Sequence, residues 1–269
     1  MPIRFQTKPG LVAYLTAGDP DLATSREIAL AAIDAGADVI ELGVPFSDPI
    51  ADGPVIQRAS ERAVAGGTRL VDVLGLAAEL HAARPDAGLV IFSYFNPVLR
   101  LGLKKFCQAA ADAGVDGVLI TDMIVEEAGE ILVHLRKHNL APIFLAAPTS
   151  PDERLRKIAE VSQGFVYAIS RTGITGAQKT LTSDAEQLVR RLRRYTNLPI
   201  AVGFGVSTPE HVAALGEFAD AAVVGSALVA IIEKSSREEA PSSIARFIKG
   251  LRGGLREGPV LAETAALTR

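Results

Sequence analysis

Short apolar runs alternate along the chain with longer stretches in which Ala, Leu and charged residues are mixed. Each short run is too short for a helix and is rich in Val, Ile or aromatic residues, which indicates a β-strand. Several runs are almost entirely apolar, as is typical of strands buried on both faces of a parallel sheet. The pattern predicts eight strands, at Leu11–Ala17, Asp38–Gly43, Leu89–Phe95, Gly117–Thr121, Ala141–Ala147, Phe165–Ser170, Pro199–Phe204 and Ala221–Gly225.

The longer stretches between these runs predict helices. Asp19-Pro20 is interpreted as an N-cap followed by Pro at the first helical position, opening a helix that ends near Ala35. Gly36 follows as the glycine that ends this helix. A last helix is predicted near Ser242–Leu251. Helices therefore separate successive strands, which is the order of repeated βα units.

This order favours a closed barrel. Residues 33–43 and 111–122 both pass from a helix end through Gly and Asp into a strand, a weak internal echo of one unit. Eight such units predict a single-domain (β/α)8 TIM barrel with parallel strands over residues 1–269, a fold that takes about 250 residues. An open doubly wound sheet is the alternative. It usually has fewer strands and a GxGxxG turn after the first strand, where this chain has TAGDP at 16–20.

Composition narrows the choice of partners and compartment. The 269 residues are 48% hydrophobic and 22% charged, with a net charge of −3, which gives no sign of a nucleic-acid or anionic-membrane partner. No apolar run reaches the roughly 18 residues of a membrane span. The first ten residues lack the apolar core of a secretory signal. Because Cys107 is the one cysteine, we expect a cytoplasmic chain without an internal disulfide.

Polar residues at the ends of the predicted strands mark the expected site, because active sites of such barrels lie at the C-terminal strand ends. Glu41 lies within the apolar second strand, where an ionisable side chain is costly unless it is paired or used. The alternative is a structural Glu held by an Arg. In the loop beyond, Asp48 and Asp52 are either functional carboxylates or turn formers, and Tyr167 of the sixth strand is either a site residue or core.

Glycines near the ends of the later strands predict a phosphate site. Two lie in the loop Ser170–Ala177, two more in the GFG sequence at 203–205, and Gly225-Ser226 opens a short helix after the eighth strand. Backbone N–H groups approach phosphate oxygens only where no Cβ intervenes. Glycines at the ends of strands seven and eight, followed by a helix N-terminus, make such a site in many barrels of this type.

Metal-dependent and Schiff-base chemistry are not favoured. All four histidines fall in predicted helices, away from the strand ends where a metal-dependent aldolase needs its ligands. The lysines fall in helices or loops, so no strand core offers a Schiff-base lysine. Carboxylates and a phosphate cradle remain. Together they favour carbanion or proton-transfer chemistry on a sugar phosphate, with neither metal nor cofactor.

The longest motif, ELGVPFSDPIADGPVIQ at 41–57, closely resembles the signature segment of the tryptophan synthase alpha subunit family. The resemblance covers roughly residues 9–252 and continues through LTAGDP at 15–20, SYFNPV at 93–98, SRTGITGA at 170–177, VGFGVS at 202–207 and VVGSALV at 223–229. It implies a barrel lyase of tryptophan biosynthesis that cleaves indole-3-glycerol phosphate to indole and glyceraldehyde 3-phosphate. It also implies a partner, a pyridoxal-phosphate-dependent beta subunit in an α2β2 tetramer, and no cofactor in this chain.

The resemblance assigns roles to particular residues. Glu41 becomes the acid–base, Asp52 the contact to the indole N–H, and Tyr167 a neighbour of Glu41 and the substrate. The implied phosphate contacts are Gly176, Gly205, Gly225 and Ser226. The implied indole pocket is lined by Tyr14, Phe92, Tyr94, Leu119, Thr175 and Phe204.

The chain departs from the family pattern at two places. Only MPIRFQTK precedes Pro9, where the family usually has a longer helix under the barrel, so we expect a less well plugged floor. Met123 and Ile124 follow Asp122 where the family often has Pro, in a loop near the family's partner.

Two other functions stay open: a stand-alone lyase that releases free indole, and a barrel without catalysis that only activates a partner. Retention of Glu41, Asp52 and Tyr167 together argues against the second.

Overall fold

The computed structural model describes residues 3–169, 178–203 and 205–253. Their strands all pair in parallel within one sheet. The strands are β1 (Gly10–Thr16), β2 (Val39–Gly43), β3 (Gly88–Ser93), β4 (Gly117–Ile120), β5 (Ala141–Ile143), β6 (Leu145–Ala146), β7 (Val166–Ile169), β8 (Ile200–Gly203) and β9 (Ala221–Val224). The helices are α1 (Leu22–Asp34), α2 (Pro54–Ala65), α3 (Leu70–Ala83), α4 (Phe95–Leu101), α5 (Leu103–Asp112), α6 (Gly129–Lys137), α7 (Asp152–Val161), α8 (Gln178–Leu192), α9 (Pro209–Gly216), α10 (Ser226–Lys234) and α11 (Ala240–Arg252).

The strand order confirms the predicted barrel. The sheet runs β5-β4-β3-β2-β1-β9-β8-β7-β6. Its two ends are consecutive pieces of the run predicted as the fifth strand, which is broken at Phe144. The first piece pairs with β4 and the second with β7, so this run changes partner and brings the ends of the sheet together. The other seven predicted strands agree with the structure to within two residues at either end.

Two apolar layers hold the barrel. Alternate strand residues face outward and pack against the helices in the larger cluster of buried side chains. The inward residues, among them Val12, Val39 and Val90, form a separate cluster inside the barrel. Ile3 is buried in this inner cluster, and the ring of Phe5 lies 6.0 Å from that of Phe165. The expectation of a poorly plugged floor is therefore wrong, because two side chains of the short N-terminal segment fill it.

The start of α1 also differs from the prediction. Asp21, not Asp19, is the N-cap, and its carboxylate accepts from the backbone N–H of Thr24 at 2.8 Å. Asp19 is instead buried in an ion pair with Arg62. Gly36 follows the helix with φ of +108°, as expected for a helix-ending glycine. The last helix is three residues longer than predicted, at Ala240–Arg252.

The histidines and the cysteine lie away from the strand ends, where a metal-dependent or nucleophilic catalyst would be expected. His81, His134 and His211 lie on α3, α6 and α9, whereas His138 follows the end of α6 and is not in a helix, contrary to the prediction. Cys107 is buried in α5, where burial raises the pKa of the thiol to about 11. Within residues 3–169, 178–203 and 205–253, no three His, Cys, Asp or Glu side chains are grouped so that they could hold a metal ion. In the same ranges no helix is long and apolar enough to cross a membrane.

Candidate active site

Glu41 lies in the middle of β2 and points into the barrel. Its side chain is 0% exposed, and within the described part of the chain neither carboxylate oxygen has a hydrogen-bond partner. Burial without compensation raises the pKa of Glu41 to about 8, because the charged form loses its hydration. Among the described residues no arginine holds this carboxyl, which counts against the alternative of a structural Glu paired with an arginine. An acid with a pKa near neutrality is suited to both donating and accepting a proton.

Asp52 lies in the loop between β2 and α2 and is half-buried. Its Oδ2 accepts from the hydroxyl of Tyr94 at 2.9 Å, and that hydroxyl accepts from the backbone N–H of Ala51 at 2.9 Å. Burial raises the pKa of Asp52, while the hydrogen bond from Tyr94 lowers it. Asp52 is therefore partly shielded from water, and Tyr94 supports the ionised carboxylate.

The other aspartate of this loop has a different environment. Asp48 is exposed and its Oδ2 accepts from the hydroxyl of Ser47 at 2.5 Å, while its carbonyl accepts from the backbone N–H of Ile50 at 2.8 Å. Those bonds are the turn chemistry that Asp-Pro sequences favour. The side chain of Ile50 is 84% exposed beside it. Of the two loop aspartates, Asp52 is the one that is half-buried and bonded to a residue outside the loop.

Two tyrosines face the carboxylates, and glycines make room for both. A Cβ on Gly203 would lie 2.5 Å from the hydroxyl of Tyr167, and a Cβ on Gly43 would overlap the hydroxyl of Tyr14. The pKa of Tyr167 is raised by burial first and by Glu41 next, which places this phenol in the electrostatic field of that carboxyl. Tyr14 pairs in register with Glu41 on the next strand. Sequence reasoning did not assign a role to Gly43. The sequence feature that could have indicated this role is a glycine at the end of β2, next to strand β1, which carries the aromatic Tyr14.

The described residues of the predicted indole pocket lie on strands β1, β3 and β4 or directly after β3. The rings of Tyr14 and Phe92 meet edge to face at 5.0 Å, and Phe92 pairs in register with Leu119. Leu119 is fully buried in the inner cluster. Tyr94 follows β3 and packs against Phe46 with ring centroids 5.2 Å apart. Thr175 and Phe204, also assigned to this pocket, lie outside the described residues.

The predicted phosphate end of the site lies at the ends of β8 and β9. Gly205 has φ of +65°, a conformation that L side chains rarely adopt, and Gly225 is the N-cap of α10, with Ser226 as its first residue. A Cβ on Gly225 would lie 3.5 Å from the Cβ of Tyr14, so this helix start lies beside the aromatic pocket. Gly176 lies outside the described residues. Gly205, Gly225 and Ser226 thus lie at the C-terminal ends of their strands, the same end of the barrel as the loop that carries Asp52.

Known proteins similar to this chain come from one family. A family model described as tryptophan synthase alpha chain matches residues 3–252. The tryptophan synthase alpha chain of Solibacter usitatus is 49% identical over 238 residues, which are 88% of this chain and 89% of the relative. That of Geobacter sulfurreducens is 42% identical over 250 residues, 93% of this chain and 94% of the relative.

The chain belongs to the tryptophan synthase alpha chain family.

Solved structures of the same family share its fold. A Mycobacterium tuberculosis tryptophan synthase chain superposes with a TM-score of 0.85 at 36% identity, covering 94% of each chain. A chain from the Pyrococcus furiosus tryptophan synthase α2β2 complex gives a TM-score of 0.86 at 41% identity, covering 92% of this chain and 99% of that one. As an alpha chain, this protein acts in tryptophan biosynthesis.

The segment in which this alpha chain lacks the family's usual Pro follows β4. Oδ1 of Asp122 accepts from the backbone N–H of Phe95 at 2.7 Å, which ties the end of β4 to the start of α4. Met123 packs against the outer core, whereas the side chain of Ile124 is 44% exposed. The departure therefore leaves one apolar side chain, Ile124, exposed at the end of the barrel to which β4 points.

Proposed function

We propose that this alpha chain cleaves indole-3-glycerol phosphate to indole and glyceraldehyde 3-phosphate. The observation that carries the proposal is the carboxyl of Glu41, fully buried, without a hydrogen-bond partner among the described residues, and with a pKa of about 8. It shares one end of the barrel with the half-buried Asp52 and with the glycines of the phosphate end. Cleavage of a carbon–carbon bond next to an aromatic ring requires an acid–base and a stabilised charge at that place.

Glu41 is the proposed acid and base. The protonated carboxyl donates its proton to C3 of the indole ring, which makes the ring an electron sink. The bond between C3 and the glycerol chain then breaks, and its electron pair returns to the ring. The resulting Glu41 carboxylate takes the proton from the hydroxyl on the adjacent side-chain carbon as the aldehyde forms. A pKa of about 8 lets a single group serve in both directions near neutral pH.

Asp52 is the proposed partner of the ring nitrogen. Protonation at C3 places positive charge on the indole nitrogen, and an ionised carboxylate beside the N–H stabilises it. The hydrogen bond from Tyr94 holds Asp52 in place and favours that ionised form. Two carboxyl groups in different environments thus take different roles. Tyr167, facing Glu41, is proposed to contact the substrate beside it.

The hydrogen bond from Tyr94 gives a pH test. In Tyr94→Phe, Asp52 loses the interaction that lowers its pKa, so the pKa rises. Because the reaction needs the ionised form of Asp52, the acidic limb of the kcat/KM profile is expected to move to higher pH. The basic limb, set by Glu41, is expected to stay near pH 8. An acidic limb that does not move would remove Tyr94 from the support of Asp52.

The phosphate end gives a binding test. Gly225→Val is expected to weaken binding of glycerol 3-phosphate at least about 10-fold, because a branched side chain at the start of α10 holds the anion away from the backbone N–H groups. The free energy of unfolding is expected to change less, since the first added carbon meets Tyr14 only at ordinary contact distance. Isothermal titration and urea unfolding measure the two quantities. Unchanged affinity would count against this phosphate site.

The proposal includes a partner and a compartment. We propose that the chain pairs with a tryptophan synthase beta subunit in an α2β2 tetramer, as the Pyrococcus furiosus relative does. The proposed cleavage uses no cofactor in this chain, and pyridoxal phosphate belongs to the beta subunit. We place the protein in the cytoplasm.

An indole-release assay with purified chain, with and without a beta subunit, tests the proposal. The expected result is indole formed from indole-3-glycerol phosphate by the chain alone, faster when the beta subunit is present. Equal rates in both arms would favour the stand-alone lyase. No indole in either arm, with activation of the beta subunit retained, would favour the barrel that only activates its partner.

A further inference from the structure

A group of four charged side chains joins α2 to α10 outside the barrel. Glu233, near the end of α10, accepts from Nε and Nη2 of Arg58 on α2, both at 2.7 Å. It also accepts from Nη1 of Arg62, one turn further along α2, at 2.9 Å. One carboxylate therefore binds two guanidinium groups of the facing helix. Hydrogen bonds from Arg58, the larger contribution, and from Arg62 lower the pKa of Glu233 to about 2.

Arg62 also binds Asp19, in the loop after β1, and so connects that loop to the group. Its Nε and Nη2 donate to the two carboxylate oxygens of Asp19 at 2.8 and 2.9 Å. Asp19 is only 2% exposed, so this pair is shielded from water on the aspartate side. We call Asp19, Arg58, Arg62 and Glu233 the charged clamp. It connects the β1–α1 loop, α2 and α10.

Beneath the charged clamp lies a small apolar cluster of the same elements. Ala59 of α2 and Val229 of α10 are fully buried against Tyr14 of β1, whose ring lines the candidate indole pocket. This cluster makes contact between the helices favourable, but apolar contact has no preferred direction and does not fix how the helices are aligned. The bidentate pairs above it supply fixed geometry, because a planar guanidinium binds a carboxylate in one orientation.

The two helices begin at opposite ends of the candidate site. Asp52 lies two residues before α2, which starts at Pro54, and the phosphate end includes Gly225 and Ser226 at the start of α10. A shift of one helix along the other changes the separation of the Asp52 carboxylate from the phosphate-binding N–H groups. The substrate must reach both at once.

We propose that the residues of the charged clamp are positioning residues that set the distance between the indole end and the phosphate end of the site. The inference rests on the proposed function, because it assigns those two ends to one substrate. Its consequence is selective. A ligand that spans both ends feels the separation, whereas a ligand that fills one end does not.

The test compares such ligands in the Glu233→Ala variant. The spanning probe is indole carrying a three-carbon chain that ends in phosphate, and the one-end probes are indole and glycerol 3-phosphate. We expect affinity for the spanning probe and kcat/KM to fall about 10-fold, since misplacement by 1 Å costs up to about 100-fold. Affinity for each one-end probe is expected to stay within about 2-fold of the wild type.

Three further variants keep the test decisive. Arg84→Ala is the matched control, because Arg84 forms a similar bidentate pair with Asp34 at 2.7 and 2.9 Å at the other end of the barrel. It is expected to leave all three affinities unchanged. If Glu233→Ala does not fold, Arg58→Gln takes its place, since the side chain of Arg58 is 49% exposed. Arg58→Lys, which keeps the charge, is expected to recover part of the affinity for the spanning probe.

The outcomes separate this inference from the proposed function. Equal loss for all three probes would overturn it, because the site would then be disrupted as a whole, and no loss for the spanning probe would overturn it directly. A wild type that binds each one-end probe but not the spanning probe, and releases no indole, would instead overturn the proposed function, and the inference with it.

Discussion

Glu41→Gln is expected to lose at least about 1,000-fold in turnover while folding normally. The amide has the shape of the carboxyl but neither donates a proton to C3 nor takes one from the hydroxyl, and such acid–base groups contribute roughly 100- to 10,000-fold. Steady-state indole release measures the loss. Turnover within 10-fold of the wild type would remove Glu41 from the mechanism.

The same substitution is expected to stabilise the fold at neutral and alkaline pH. The pKa of Glu41 is about 8 in the folded chain against 4.5 for an unperturbed Glu, so between these values the unfolded chain releases a proton that the folded chain keeps. Wild-type stability therefore falls as pH rises from 4.5 to 8, and glutamine avoids that cost. The gain is on the order of 3 kcal/mol at pH 7 and absent at pH 4.

Asp38→Asn is the matched control for this pair of measurements. Asp38 is also buried and lies just before the same strand, but its carboxylate accepts from the backbone N–H of Gln6 and Leu11 and from Arg252. Replacing it breaks a satisfied network, so the unfolding free energy is expected to fall. Turnover is expected to change little, because Asp38 lies at the opposite end of β2 from the loop that carries Asp52. Opposite signs of the two stability changes would identify Glu41 as a residue kept for chemistry at a cost in stability.

The strands were predictable because each is a continuous apolar run, and a strand buried on both faces leaves that mark in the sequence. The break of the fifth predicted strand at Phe144 could not be predicted. The change of pairing partner there, from β4 to β7, depends on closure of the whole barrel. Asp19 was mistaken for a helix cap because Asp19 and Asp21 flank the same Pro. The sequence around the two aspartates does not show which of them caps the helix. The ion pair of Asp19 with Arg62, 43 residues away, makes the difference.

In the candidate site, too, some features could be predicted from the sequence and others depend on contacts between distant residues. Glu41 could be singled out from the sequence because a charge inside an apolar strand is unusual. That both of its oxygens have no partner among the described residues depends on every strand around it, and no local pattern carries that information. The bond from Tyr94 to Asp52 joins residues 42 positions apart, and the space that Gly43 leaves for Tyr14 exists only between adjacent strands.

Asp52→Asn is expected to lower turnover by about 100- to 1,000-fold, the range for removing one group that stabilises charge in the transition state. The amide oxygen of Asn still accepts from Tyr94 and from the indole N–H, so geometry is kept while the negative charge is lost. Affinity for an unreactive spanning ligand is therefore expected to fall much less than kcat. Asp48→Asn is the control in the same loop, because Asp48 is exposed and bonds within its own turn. In the chain without a beta subunit, its turnover is expected to stay near the wild type. A loss at Asp48 as large as that at Asp52 would mean that the loop as a whole, and not the charge beside the ring nitrogen, determines the rate.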